Sequence, residues 1–237
     1  MIPWRELHRA SVPGEPVPLV LAQRGTEFAI RVGGVALMGS RAHGSEEALA
    51  ELACARIAAR ADVRVVVGGL GMGFTLAAAL RALPTSARVV VVELVPELIE
   101  WNRGPLADLA GRPLDDARVS VRAGDVADVL HESRAAFDAI LLDVDNGPTA
   151  LTRATNRRLY ATPGLAAAFD ALRDDGILGV WSVAPDAAFT RRLLAHGFDA
   201  ETRVVRAQLA RGGRHTLWLA RRPARPARGR ASRKNSA

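Results

Sequence analysis

Polar and apolar positions change period along this chain. Val17 to Ala22, Glu27 to Val32 and Val35 to Met38 are short apolar or alternating runs parted by Arg24-Gly25 and Gly33-Gly34, a pattern that predicts a small β-meander. From Ser45 to about Ala59, Ala, Leu and Ile recur at helical spacing. Ser45 followed by Glu46 and Glu47 reads as a helix cap with an acidic first turn. Beyond it a regular alternation begins. Strands are predicted at Val63 to Val67, Arg88 to Glu93, Arg118 to Arg122, Ala139 to Asp143 and Ile177 to Ser182. Helices are predicted between them at Phe74 to Leu83, Pro96 to Leu109, Val126 to His131 and Asn156 to Arg173. Continuous runs such as VRVVV and RVVVVE suit strands buried on both faces, as in a parallel sheet covered by helices. A helix over Asp186 to His196 follows. Ala200 to Gln208 and His215 to Ala220, parted by Arg211-Gly212-Gly213, then form a hairpin expected to insert an antiparallel strand at the sheet edge.

Composition narrows the classes. At 237 residues and 49% hydrophobic content, the chain suits one α/β domain with a small appendage. No apolar run reaches the roughly 18 residues that a membrane span needs, and MIPWRELHRA lacks the apolar stretch of a signal peptide, so a cytoplasmic protein is expected, with no membrane partner. Cys54 is the single cysteine, which excludes an intramolecular disulfide, and no Cys/His spacing suggests zinc, so no metal is expected.

The formal charge of +7 is local. Seven of the 32 cations fall from Arg221 onward with no acid among them, which leaves 25 of each sign before that point. Residues 223–237 read as a disordered basic tail, either solvated or in contact with RNA, DNA or an acidic surface. The sole lysine, Lys234, lies in that tail, which argues against a P-loop and against an ordered Schiff-base lysine.

The chemistry-bearing residues gather at strand ends. Gly69, Gly71 and Gly73 join the first strand of the alternation to a helix, where open α/β sheets bind ligands and a backbone free of side chains can approach them. Their spacing, G-x-G-x-G, departs from the dinucleotide fingerprint and weakens a nicotinamide reading. Glu93 ends the next strand, 20 residues after Gly73, where a carboxylate can accept both hydroxyls of a ribose or form a buried salt bridge. Asp125 ends the third strand and can accept from an adenine amino group or cap the following helix. Asp143 and Asp145 close the fourth. Asp143 is a candidate base, and Asp145 or Asn146 can bind substrate or cap a helix. Tyr160 is either a core residue or a hydroxyl partner of Asp143. His43 faces a pocket or is structural.

The stretches VVVGGLGMGFTL, VVELVPELIEWNR, LDDARVSVRAGD and LLDVDNGPTAL, the last followed by Leu159-Tyr160, together make the chain resemble the spermidine synthase-like family of aminopropyltransferases from about Glu27 to Trp218. The resemblance implies an α/β fold of the class I methyltransferase (Rossmann-like) type. It has a mostly parallel seven-stranded sheet with an antiparallel edge hairpin and a small N-terminal β-meander. Residues 1–43 would form the β region, 44–222 the nucleoside-binding catalytic domain and 223–237 the tail. It further implies a transferase that uses decarboxylated S-adenosylmethionine, or S-adenosylmethionine itself, with a small-molecule acceptor; a homodimer is left open. Gly69, Gly71, Gly73 and Glu93 would hold the nucleoside, Asp125 the adenine, and Asp143, with Tyr160, would deprotonate the attacking amine. Departures fall on the acceptor side. Asp145 and Asn146 stand in a shortened segment, Leu37 takes the place of a glutamine, and Trp181-Ser182-Val183 replaces a polar sequence. The acceptor pocket is therefore expected to be short of anionic partners, with Trp181 among its binding residues. Aminopropyl transfer, methyl transfer and non-catalytic nucleoside or RNA binding all remain open at this point.

Overall fold

The computed structural model describes residues 2–144, 158–208 and 213–224. Its first element was not legible from hydropathy. Strand β1 (Arg5–Ala10) pairs antiparallel with β2 (Leu19–Arg24), yet only Ala10 of it is buried. A charged edge strand of this kind carries no apolar alternation to read. The meander continues through β3 (Glu27–Val32) and β4 (Val35–Gly39), all antiparallel. Its inner residues Leu19, Leu21 and Ile30 pack with Met72, Phe74, Leu98 and Trp101, so the meander shares a hydrophobic cluster with the main domain.

Helix α1 (Gly44–Cys54) opens the main domain and is shorter than its pattern suggests, continuing only as hydrogen-bonded turns to Arg60. The expected Ser45 cap is not made. His43 is the N-cap residue, and the Ser45 side chain turns to other partners. There follow β5 (Arg64–Gly68), α2 (Phe74–Ala82), β6 (Arg88–Glu93), α3 (Pro96–Arg103), β7 (Val119–Ala123), α4 (Val126–Glu132) and β8 (Phe137–Leu142). Helix α3 stops six residues short of the expected Leu109. Gly104-Pro105 ends it, because proline has no N–H and disfavours a helical residue before it. A 3-10 turn at Ala107–Ala110 resumes the chain's course.

The last part comprises α5 (Thr162–Ala171), β9 (Leu172–Ser182), α6 (Ala187–Ala195), β10 (Asp199–Arg206) and β11 (Arg214–Arg221). Strand β9 begins directly after α5, five residues before the expected Ile177. The seven strands run in the order β10-β11-β9-β8-β5-β6-β7. Strands β5 to β9 are mutually parallel, and β11 lies antiparallel between β9 and β10, as the closing hairpin predicts.

Alternation along the parallel strands feeds two cores. Val65, Val67, Val89 and Val91 face α1 and α2, while Val66, Val92, Ile140 and Leu142 face α4, α5 and α6. Both faces are covered, which accounts for the unbroken apolar runs. Cys54 lies in the first core, and burial pushes its thiol up to about 12, so it is chemically quiet. Among the described residues no helix is long and apolar enough to cross a membrane.

Candidate active site

The carboxyl ends of β5, β6 and β8 meet at one edge of the sheet, where a tight glycine turn decides what can approach. Gly69, Gly71 and Gly73 all adopt positive φ, at 86°, 52° and 85°. At Gly69 a Cβ would collide with the Asp143 carbonyl, so the turn after β5 and the end of β8 touch only because that residue is glycine. Gly73 is the left-handed N-cap of α2. Asn102, buried on α3, donates through Nδ2 to the Gly71 carbonyl at 2.9 Å and to that of Leu98 at 2.8 Å. That support was missed in the sequence, where Asn102 is one polar residue on an amphipathic helix.

Glu93 is buried, with its carboxylate held by two backbone amides. Leu70 N donates to Oε2 at 2.8 Å and Val95 N to Oε1 at 2.9 Å. Asp125 does what a helix cap does, its Oδ1 accepting from Ala127 N at 2.8 Å, and it also lines the cavity.

Two cavities adjoin here. The first is lined by Gly69, Gly71, Glu93, Val95, Asp125 and Asp143, with Leu19, Ile30 and Leu37 of the meander over it. The second, with a volume of about 260 Å³, is lined by Glu46, Met72, Phe74, Trp181, Val183 and His215. Leu37, Met38, Gly71 and Asp143 belong to both. Asp143 thus stands at the junction. Thr75 Oγ1, on α2, donates to its Oδ2 at 2.5 Å, and its backbone N bonds the Gly68 carbonyl at 3.0 Å.

The second cavity corrects the expectation of a pocket short of anions. Glu46, read in the sequence as part of an acidic first turn, faces this cavity along with Asp143. Burial, the nearby Asp143 charge and Glu47 push its carboxyl up from 4.5 to about 7, against the opposing hydrogen bond from Ser45. The Ser45 hydroxyl, fully buried, lies 2.5 Å from Glu46 Oε2, 2.7 Å from His215 Nδ1 and 3.0 Å from Trp181 Nε1. Trp181 also packs edge-on against His215, with ring centroids 4.6 Å apart. Of Glu46, Ser45, Trp181 and His215, the sequence named only Trp181 as a site residue.

Other expected residues fall elsewhere. Tyr160 is buried in the core against the edge of Phe189, with centroids 5.6 Å apart, and it lines neither cavity. Leu159 beside it lines the first cavity. His43 stacks on Phe74 at 4.0 Å and approaches Glu47 at 3.2 Å, a structural role. Asp145 and Asn146 lie outside the described residues. Among the described residues no cluster of His, Cys, Asp and Glu could hold a metal ion.

Residues 42–192 match the spermine/spermidine synthase domain. Over 124 residues the chain is 34% identical to a polyamine aminopropyltransferase of Mycobacterium tuberculosis, an alignment that covers 51% of this chain and 23% of that protein. The chain therefore matches about a quarter of the length of this curated relative. Among solved structures, a spermidine synthase from Thermotoga maritima superposes with a TM-score of 0.73 over 94% of this chain and 74% of that one, at 17% identity. A spermidine synthase in complex with the transition-state analogue AdoDATO does so with the same score at 18% identity. The fold is that of these enzymes, a class I methyltransferase-like α/β sheet with a separate antiparallel meander. Since the matched span takes in the glycine turn, Glu93, Asp125, Asp143 and Trp181, the chain belongs to the spermine/spermidine synthase domain family.

Proposed function

We propose that this protein transfers the aminopropyl group of decarboxylated S-adenosylmethionine to a small amine. The observation that carries this reading is the position of Asp143, which lines both cavities at once. A nucleoside in the first cavity, held by the glycine turn with its ribose on Glu93 and its adenine beside Asp125, would present its sulfonium side chain toward that junction. The acceptor would enter the second cavity past Trp181. Asp143 would then take a proton from the amine, and the freed nitrogen lone pair would attack the carbon next to sulfur. The C–N bond forms as the C–S bond breaks, and the electron pair leaves on the neutral thioether, methylthioadenosine. Alignment of the two substrates supplies much of the rate, and the positioned carboxylate the remainder.

Charge favours the decarboxylated donor over S-adenosylmethionine. The described residues lining the two cavities include Glu46, Glu93, Asp125 and Asp143 but no arginine or lysine. A donor carrying an ammonium and a sulfonium suits that lining, whereas an α-carboxylate would be left without a cation. Two facing carboxylates likewise suit a cationic amine. The small-molecule acceptor is the one partner the reading requires, and a cytoplasmic setting, where both substrates are small and polar, fits it.

The test is product analysis with decarboxylated S-adenosylmethionine and with S-adenosylmethionine, each against putrescine, cadaverine, spermidine and monoamines. Methylthioadenosine formed in step with an aminopropylated amine is expected. Methylated product from S-adenosylmethionine would replace this reading with methyl transfer, and saturable nucleoside binding without turnover would replace it with a binding role.

A further inference from the structure

Ser45 Oγ is fully buried and has three polar neighbours but only one proton to give. Trp181 Nε1 can only donate, so it fixes one of the two acceptor sites of the hydroxyl. The remaining bonds to Glu46 Oε2 and His215 Nδ1 then have two complete arrangements. With Glu46 ionised, Ser45 donates to Glu46 and accepts from a proton on His215 Nδ1. With Glu46 protonated, the carboxyl donates to Ser45, which donates to a bare His215 Nδ1, and the ring carries its proton on Nε2.

We propose that Glu46, Ser45 and His215 form a proton relay that carries away the proton lost by the acceptor amine, and the proposal rests on the transfer reading given above. One end, Glu46, faces the acceptor cavity beside Asp143. At the other, His215 Nε2 lies toward exposed Gly213, where a Cβ built on that glycine would sit 3.5 Å from it. The transfer releases one proton per turnover: an ammonium and a sulfonium become one secondary ammonium, one neutral thioether and H⁺. Glu46 takes that proton from the amine directly or by way of Asp143. The carboxyl passes a proton to Ser45 Oγ as the Ser45 proton moves to His215 Nδ1, and the imidazolium so formed loses its Nε2 proton to water. Glu46 is again a carboxylate and His215 is neutral with its proton on Nδ1; before the next proton passes, the ring swings, takes a proton from water on Nε2 and gives its Nδ1 proton to water, which leaves Nδ1 bare again with no net change in protons. The pair is well matched for this, since burial and Asp143 raise Glu46 to about 7 while burial lowers His215 from 6.5. The other described charges near Glu46 are contained: Glu47 is paired with Arg81 at 3.0 Å and lies 3.2 Å from His43. Among the described residues, Ser45 and Trp181 are the polar and aromatic contacts of His215 itself.

Two measurements test the relay. In nitrogen-15 histidine spectra, His215 is expected to shift its proton from Nε2 to Nδ1 as pH rises through about 7, and Ser45→Ala is expected to abolish the shift. A His215 that keeps one tautomer across that range, or shifts equally in Ser45→Ala, overturns the relay. In single-turnover assays above pH 7, His215→Ala and Ser45→Ala are expected to slow transfer roughly tenfold or more with the amine KM changed little, and imidazole buffer is expected to restore His215→Ala. An active wild type whose His215→Ala variant is equally fast overturns the relay alone. A wild type silent with every amine overturns the transfer reading, and with it the relay's catalytic purpose, while the tautomer spectra still decide whether the hydrogen bonds are coupled.

Discussion

Glu93 Oε2 accepts the backbone N–H of Leu70 at 2.8 Å, so the last residue of β6 holds the glycine turn that follows β5. The same carboxylate, through Oε1, accepts from Val95 at the start of α3. One side chain therefore shapes the cavity wall on two sides and lines the cavity itself. Binding and local structure are joined at this residue, and its substitution should show both effects.

Glu93→Gln is expected to weaken methylthioadenosine binding at least tenfold and to lower the melting temperature. An amide NH₂ in place of one oxygen would face a backbone N–H, and a buried hydrogen bond to a charged group contributes roughly 1.5 to 3 kcal/mol. Calorimetric titration and thermal melts read the two effects. Wild-type affinity in a folded Glu93→Gln protein would mean that the ribose is held by other groups.

Thr75 is the orienting partner of Asp143, with Oγ1 donating to Oδ2 at 2.5 Å. Thr75→Val keeps the shape of the helix and removes that donor. Turnover with the preferred amine is expected to fall by roughly tenfold, and Asp143→Asn to abolish it, because the first loosens the base and the second removes it. Nucleoside affinity should stay within a few-fold in both. Equal losses of affinity and turnover would instead place Asp143 on the nucleoside.

Glu46 gives a pH signature of the ligand-free protein. Its folded value of about 7 lies above the ordinary 4.5, so between those values the folded state binds more protons than the unfolded state and stability falls as pH rises. The loss is complete above pH 7 and, at 1.36 kcal/mol per unit, is on the order of 3 kcal/mol. Glu46→Gln is therefore expected to melt higher than wild type at pH 8 and alike at pH 4, while its KM for a cationic amine rises. Matching melting curves at pH 8 would show that Glu46 is better solvated than its surroundings indicate.

Near the other end of the described residues lies a buried arginine. Arg222 is 6% exposed, lies 5.0 Å from the Phe169 ring centroid and donates to the Phe169 carbonyl at 3.0 Å. Arg222→Ala is expected to destabilise the protein by about 2 kcal/mol, through lost packing and stranded carbonyls. Removing residues 225–237, which show no apolar periodicity, is expected to shift the melting temperature by less than about a degree. A drop of several degrees on that truncation would show that the basic segment docks.

Most of the scaffold was legible because its signals are local. Continuous apolar runs such as Val65 to Val67 and the glycine turn at Gly69 to Gly73 depend on residues adjacent in sequence, and so does the placing of Glu93 at a strand end. Strand β1 was not legible, since Arg5 to Ala10 is a charged edge with one buried residue. The surroundings of Tyr160 were left open for a related reason: sequence distance from Asp143 does not say which face of the sheet a side chain takes, and here it takes the one packed under α6.

The acceptor side shows where local reading ends. Glu46 and Ser45 look like the first turn of an ordinary helix, and Trp181 and His215 like separate positions on two strands. The parallel order of β5 to β9 and the antiparallel insertion of β11 bring them together, Ser45 meeting Trp181 across 136 residues and His215 across 170. The pattern of apolar spacing and glycines could therefore announce the sheet, the nucleoside turn and the family. The charge of the acceptor pocket waited on the folded molecule. Desolvation and Coulomb interaction depend on distance in space and on burial, and neither has a counterpart in the spacing of residues along the chain.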